Sequence, residues 1–170
     1  MKLRTIAVAT MGIVCAATLA VAQQMSAKAE LKPTAGNSAA GTVTFTQKGD
    51  KVSVVANLSG LPPGPHGFHV HEKGDCSAPD GASAGGHFNP TGKAHGDPAA
   101  AEHHAGDMPH LVADSSGNAT LNADLSPMSI GGANDIVGKS VVVHKDPDDF
   151  KSQPAGNSGA RIACGVISKS

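Results

Sequence analysis

The sequence has no tryptophan and no tyrosine, and only four of its 170 residues are phenylalanine. Any core must therefore be filled by Val, Ile, Leu and Ala. Charged residues make up 16% of the chain, below the roughly 25% usual in soluble domains. There is no run of like charge. The basic footprint of a nucleic-acid binder is missing, and so is a polybasic membrane patch. A CxxC redox motif is absent, and no stretch carries a convincing helical period. Turn chemistry is abundant, with 21 Gly and 11 Pro. So is imidazole: nine His, all between His66 and His144. The length fits one domain.

Residues 1–22 read as a secretory signal peptide. Lys2 and Arg4 supply a positive start, Ile6 to Leu19 an uncharged apolar run, and Ala20-Val21-Ala22 a small-x-small cleavage pattern before Gln23. An uncleaved anchor is the alternative, but the apolar run is short and Ala-rich. A lipoprotein reading of Cys15 is opposed by Val14, where a small residue belongs. Cleavage removes two of 13 basic residues and none of 14 acidic ones, so residues 23–170 carry net charge −3. It leaves Cys76 and Cys164. In an exported chain one even pair suggests one disulfide, here closing a loop of close to ninety residues. Chain entropy values such a loop at roughly 4 kcal/mol. Two separate thiols are the alternative. The implied localisation is periplasmic or secreted, with no stable membrane insertion after cleavage.

Period-two alternation runs through Ala27, Ala29 and Leu31. TVTFTQ (Thr42 to Gln47) and KVSVVANL (Lys51 to Leu58) flank the turn Lys48-Gly49-Asp50 and predict a hairpin. GLPPGPHG, from Gly60 to Gly67, excludes helix because three prolines remove donors and fix φ. Further strands are expected at Phe68 to Glu72, Leu111 to Ala113, Ala119 to Leu125, Lys139 to His144 and Arg161 to Ile167. The total is about eight antiparallel strands in an all-β sandwich or barrel. Two long loops, residues 73–110 and 146–159, need a reason to exist in a compact domain.

His69 and His71 lie two apart on a predicted strand, so both rings project from one face, as two ligands of one metal would. An HxH pair alone is a weak signal and more often reflects chance or core packing. His66 has the opposite parity and reads as a structural hydrogen-bonder. His87 follows Gly85-Gly86. HGDPAAAEHHAGD, from His95 to Asp107, offers His95, His104 and Asp107 at His-x8-His-x2-Asp spacing. With His87 these make three nitrogens and one oxygen, a sensible tetrahedral zinc set. His144 ends a strand and can join His69 and His71 in an all-imidazole site, which favours copper. A solvated His-rich loop that buffers metal loosely is the competing reading. His103 adjoins His104 and can substitute for it; His110 reads as a surface residue. Arg161 is the only Arg after residue 22. Beside a metal it would draw in a small anion; an ordinary salt bridge or carbonyl clamp is the plainer alternative.

GFHVHE (Gly67 to Glu72), GHFNP (Gly86 to Pro90) and GARIACGVI (Gly159 to Ile167) resemble the signatures of copper/zinc superoxide dismutases, a likeness that runs from about Ala27 to Ile167. The resemblance implies a Greek-key β-barrel and dismutation of superoxide to dioxygen and hydrogen peroxide, with one copper and one zinc per subunit. It implies His69, His71 and His144 as copper ligands, His87 as the bridge between the metals, and His95, His104 and Asp107 as the remaining zinc ligands. Arg161 would guide superoxide, and His87 would take a proton during turnover. Cys76 and Cys164 would form the intrasubunit disulfide. Asp148, four residues after His144, would link ligands of the two metals, with Asp146 and Asp149 close enough to compete. Superoxide is the implied partner and nucleic acid is not; a homodimer and a monomer both stay open.

The chain departs from the eukaryotic branch in a shorter segment between His144 and Arg161, which lacks an acidic cluster and has Ala155 where a threonine is usual. Cys76 also lies closer to His71. With the export signal, these features resemble the bacterial exported branch. A periplasmic copper/zinc-binding or buffering protein without turnover is the rival reading. A full ligand set plus Arg161 favours the enzyme, since storage needs neither a shared imidazole nor a guiding cation.

Overall fold

The structure, a computed structural model, describes residues 24–170; the predicted signal peptide, with Cys15, lies outside the described residues. Nine strands occur among the described residues: β1 (Ser26–Pro33), β2 (Ala40–Lys48), β3 (Lys51–Ser59), β4 (Gly64–His66), β5 (Phe68–His71), β6 (Leu111–Ala113), β7 (Ala119–Leu125), β8 (Ser140–His144) and β9 (Arg161–Lys169). A single turn of 3-10 helix spans Ala82–Ala84. No helix among the described residues is long and apolar enough to cross a membrane.

Eight strands stand where alternation and β-branched runs predict them. The ninth, β4, is a three-residue piece of the Gly/Pro segment, with Pro65 opposite Val112 of β6. Proline is tolerated there because β4 is an edge strand and need not donate on its outer side.

The strands form one antiparallel sheet in the order β4-β6-β7-β3-β2-β1-β9-β8-β5. Its two edge strands, β4 and β5, are separated in sequence only by Gly67. The sheet must therefore curl until its edges meet, giving a nearly closed Greek-key barrel. Gly67 N–H donates to the Asp146 carbonyl (2.9 Å), and its own carbonyl accepts from His144 N–H (2.8 Å). A Cβ at this position would stand 2.6 Å from Ser158 Oγ.

Alternation fills the barrel. Ala27, Ala29 and Leu31 of β1, Val43 and Phe45 of β2, and Val52, Val54 and Ala56 of β3 point inward with Phe68 and Val70 of β5. Small and β-branched side chains carry this core, as the shortage of aromatics requires. His69 and His71 take the other face of β5, yet they too are buried, because the long loop between β5 and β6 covers them. Cys76 of that loop is bonded to Cys164 of β9, 88 residues away, and this disulfide ties the loop to the barrel wall.

Candidate metal centre

Strand β5 is an edge, and an unpaired edge is a row of free donors and acceptors. Here the loop between β5 and β6 satisfies it. Val70 N–H donates to the Gly106 carbonyl (2.8 Å), Phe88 N–H donates to the Val70 carbonyl (2.8 Å), and Gly106 N–H donates to the Phe88 carbonyl (2.9 Å). This ladder sets His87 opposite His71 and Asp107 opposite His69. A side chain at Gly106 would collide with the Val70 carbonyl, so the approach requires glycine. On the other side of β5, the β8–β9 register slips by one between Val143↔Ala163 and His144↔Arg161. A bulge of this kind re-aims side chains, and the two it re-aims are His144 and Arg161.

Two groups of side chains result. His69, His71, His87 and His144 offer ligand atoms that all lie within 4.8 Å of one another, and so do His87, His95, His104 and Asp107; all seven residues are buried. His87 belongs to both. Its ring stacks on His69 with centroids 3.9 Å apart.

Hydrogen bonds fix which nitrogen each ring leaves free. His71 Nδ1–H donates to the Gly85 carbonyl (2.9 Å) and His144 Nδ1–H to the Gly159 carbonyl (3.1 Å). Their Nε2 atoms, 3.3 Å apart, are therefore both lone pairs and cannot hydrogen-bond each other. His69 Nε2–H donates to Asp148 Oδ2 (2.6 Å), leaving Nδ1 free. Among the described residues only two buried side-chain polar atoms have no partner, His69 Nδ1 and His87 Nε2. Such orphans cost about 1–3 kcal/mol each and call for an explanation. Four imidazole lone pairs that converge without protons between them are that explanation, because they suit a cation.

The second group is equally explicit. Asp107 Oδ1 faces His87 Nδ1 (2.9 Å), His95 Nδ1 (3.1 Å) and His104 Nδ1 (3.5 Å), and the His104 and His87 Nδ1 atoms are 3.4 Å apart. The edges of a tetrahedron around zinc, with ligand bonds of about 2.0–2.1 Å, measure roughly 3.3 Å. Asp107 Oδ2 is held by the backbone N–H groups of His104 (2.8 Å) and Gly96 (3.1 Å), which aims Oδ1 inward.

Asp148 joins the groups. Its Oδ2 accepts from His69 and its Oδ1 from His95 Nε2–H (2.9 Å). The competitors are elsewhere: Asp149 caps its own loop through Lys151, Ser152 and Asn157, and Asp146 lies against Gly159. His104 reaches the cluster and His103 does not, its Nδ1–H donating to the His104 carbonyl (2.7 Å). His66 is buried away from both groups, with Nδ1 2.9 Å from the His144 carbonyl and Nε2 2.7 Å from that of Pro62. His110 departs from expectation. Rather than lying on the surface it is half-buried, and its Nε2–H donates to the main-chain carbonyl of Asp148 (2.8 Å).

The sequence reading missed two supports. Gln153 holds the backbone of His95 at both ends, accepting from its N–H (2.8 Å) and donating to its carbonyl (2.9 Å). No motif signals it. Gly156, at φ 62°, leaves room that any Cβ would take from the Asp148 carboxylate; its only trace in the sequence is the turn chemistry of Pro154 to Gly159.

Arg161 Nη1–H and Nη2–H donate to the carbonyls of Gly81 and Gly85, each at 2.6 Å. Gly85 is also the acceptor for His71, so one carbonyl joins the guanidinium to the first cluster. A hollow of about 450 Å³ lined by Thr34, Asp80, Gly159 and Arg161 opens beside it. The larger depression, about 810 Å³ beside Cys76 and Cys164, touches none of the clustered histidines.

Residues 39–167 match the family described as copper/zinc superoxide dismutase (SODC). This chain belongs to the copper/zinc superoxide dismutase family. A related Cu-Zn superoxide dismutase 2 from Brassica juncea is 45% identical over 134 residues, covering 75% of this chain and 88% of the relative. The chain is an oxidoreductase that converts superoxide to dioxygen and hydrogen peroxide, with one copper and one zinc per subunit. The two clusters suit those metals in number and in donor type.

The two clusters also set the pH response of the metal-free fold. Burial pushes His87 down to about 4 against the pull of Asp107, and His144 down to about 3 with the His69 ring adding to it. Burial also opposes charge on His95, but the carboxylates of Asp107 and Asp148 outweigh it and lift it to about 9. Depressed groups contribute stability above their ordinary value of 6.5 that is lost as pH falls through about 4 and 3. The raised group contributes stability below 6.5 that is lost as pH rises through about 9. Urea midpoints of the chelator-treated protein are therefore expected to peak near pH 6.5 and to fall on both sides. A midpoint still climbing at pH 9 would contradict the pairing of His95 with the two carboxylates.

Proposed function

We propose that His69, His71, His87 and His144 hold the copper and that His87, His95, His104 and Asp107 hold the zinc, with the ring of His87 shared. One observation carries this reading. His87 turns Nδ1 to Asp107 and leaves Nε2 buried, with no partner, in the other cluster. When bound, copper supplies a one-electron couple and zinc a redox-silent positive charge.

The chain's own residues do the rest. The reaction consumes two superoxide anions and two protons and releases one dioxygen and one hydrogen peroxide. Arg161, fixed by two carbonyls at the hollow's edge, draws the anion in and holds it next to the His71 side of the site. Whenever its lone pair is free of metal, His87 Nε2 is the atom that takes a proton and gives it up as peroxide forms. Asp148 fixes the tautomers and ring directions of His69 and His95. The loop after β5 buries the rings.

His87→Ala is expected to lower superoxide decay at least about a hundredfold, the scale of a lost proton-transfer group, and to impair uptake of both metals. A variant that loads both metals and keeps the wild-type decay rate would remove the shared ring. Arg161→Ala is expected to keep its copper and zinc while decay slows about tenfold or more, with a weaker response to added salt. An unchanged rate constant at verified copper content would refute the guiding role.

We also infer export to the periplasm or the cell exterior after cleavage before Gln23. The charged, apolar and small-residue pattern of residues 1–22 supports it, and the Cys76–Cys164 bond suits an oxidising compartment. Protein recovered from that compartment with residues 1–22 still attached would refute the cleavage.

A further inference from the structure

His110 and Phe150 lie outside both clusters, yet both contact Asp148. The His110 and Phe150 rings stack with centroids 4.6 Å apart and planes 22° from parallel. His110 Nε2–H donates to the Asp148 main-chain carbonyl (2.8 Å), and Phe150 N–H donates to Asp148 Oδ1 (2.7 Å). Phe150 is held at φ 55°. That is the left-handed region, which a bulky L residue adopts only at a cost in free energy. Strain of this kind persists where the surroundings enforce it and where function uses it.

Asp148 is thereby held on every side. Its Oδ2 accepts from His69, its Oδ1 from His95 and Phe150, and its main-chain oxygen from His110. The two carboxylate oxygens are parts of one rigid plane. A tilt that lengthens the bond to His69 also displaces the bond to His95, so whatever sets that plane sets one ring in each cluster at once.

We propose that His110 and Phe150 form a clip that fixes the carboxylate plane of Asp148 and thus act as positioning residues for the copper and zinc sites together. Phe150 accepts the left-handed backbone because it brings its N–H to Oδ1 while its ring lies on His110. His110 locks the same residue from the main-chain side. Neither His110 nor Phe150 belongs to either cluster, and their contacts add a further tie between the segment after β5 and the segment after β8. The inference rests on the assignment of the two clusters proposed above.

The test uses the fully copper- and zinc-loaded protein. H110F keeps a ring over Phe150 but loses the N–H; H110Q restores a donor. Readouts are zinc release to a competing chelator and the electron paramagnetic resonance spectrum of bound Cu(II), the second of which a remote packing change would not move. H110F is expected to hold zinc about two- to tenfold less tightly, the range for one lost hydrogen bond, with altered copper hyperfine splitting. H110Q is expected to return within about twofold of wild type on the same scale. F150G relieves the left-handed φ but removes the ring, is expected to loosen zinc similarly, and carries the test if H110F does not fold. Wild-type zinc retention and an unchanged spectrum in H110F, or in F150G where H110F does not fold, would overturn the clip, as would an H110Q protein as weak as H110F. D148N separates the two levels. If D148N releases zinc and H110F does not, only the clip fails; if D148N also keeps zinc like wild type, the role proposed above for Asp148 in setting the His69 and His95 rings fails with it.

Discussion

Val70, between the two histidines of β5, makes the backbone contacts on which the metal centre depends. Its amide and carbonyl each grip one segment of the loop that follows, Gly106 and Phe88, and those segments then grip each other. An edge strand is ordinarily a liability that a fold must cover. This fold covers it with the chain that carries His87, His95, His104 and Asp107 of the clusters. Satisfying two backbone groups and bringing the clusters together become one event: His69, His71, His87 and Asp107 inherit their positions from a β-ladder, while Gln153 and Asp107 hold the backbone at His95 and His104. Precise placement of that kind is what coordination demands.

Those positions work against the stability of the bare polypeptide. Four imidazoles turn lone pairs toward one another, and two of those nitrogens are buried with nothing to bond. Burial holds His69, His71, His87 and His144 below their usual titration range, so they oppose folding whenever the unfolded chain would protonate. Asp107 and Asp148 are pulled far below the usual carboxylate range by their histidine partners, although burial alone would raise them. The converging nitrogens make sense as a shell prepared for two cations, whose binding would give the unpartnered ones a partner.

Much of this was written in the sequence, and unevenly so. The parity of His69 and His71 gave one face of a strand, the His-x8-His-x2-Asp spacing gave a cluster, and the turn at Lys48-Gly49-Asp50 gave a hairpin; each depends on residues close in sequence. What stayed hidden depends on contacts between distant segments. β4 escaped notice because Pro65 masks a strand that only its partner β6 reveals. Spacing alone could not choose between His103 and His104, or among Asp146, Asp148 and Asp149; those choices are made where two loops meet. Gln153 and His110 act on main-chain atoms of His95 and Asp148. A main-chain partner leaves no mark in its own residue type, so no pattern of side chains announces it.

The disulfide has a local meaning beyond loop entropy. Arg161 depends on the carbonyls of Gly81 and Gly85, which belong to the loop after β5, whereas Arg161 itself starts β9. Cys164 lies three residues beyond Arg161 on the same strand, and Cys76 lies in the same loop as the two glycines. The bond therefore closes a short circuit of structure: strand, guanidinium, carbonyls, loop and sulfur. Because the Gly85 carbonyl also orients His71, loosening the loop would disturb the Arg161 guanidinium and a ring of the first cluster together. The bulge that re-aims His144 sits in the same strand pair. The Arg161 guanidinium and the first histidine cluster are thus not separate devices on one barrel but two ends of one hydrogen-bonded and covalently tied frame.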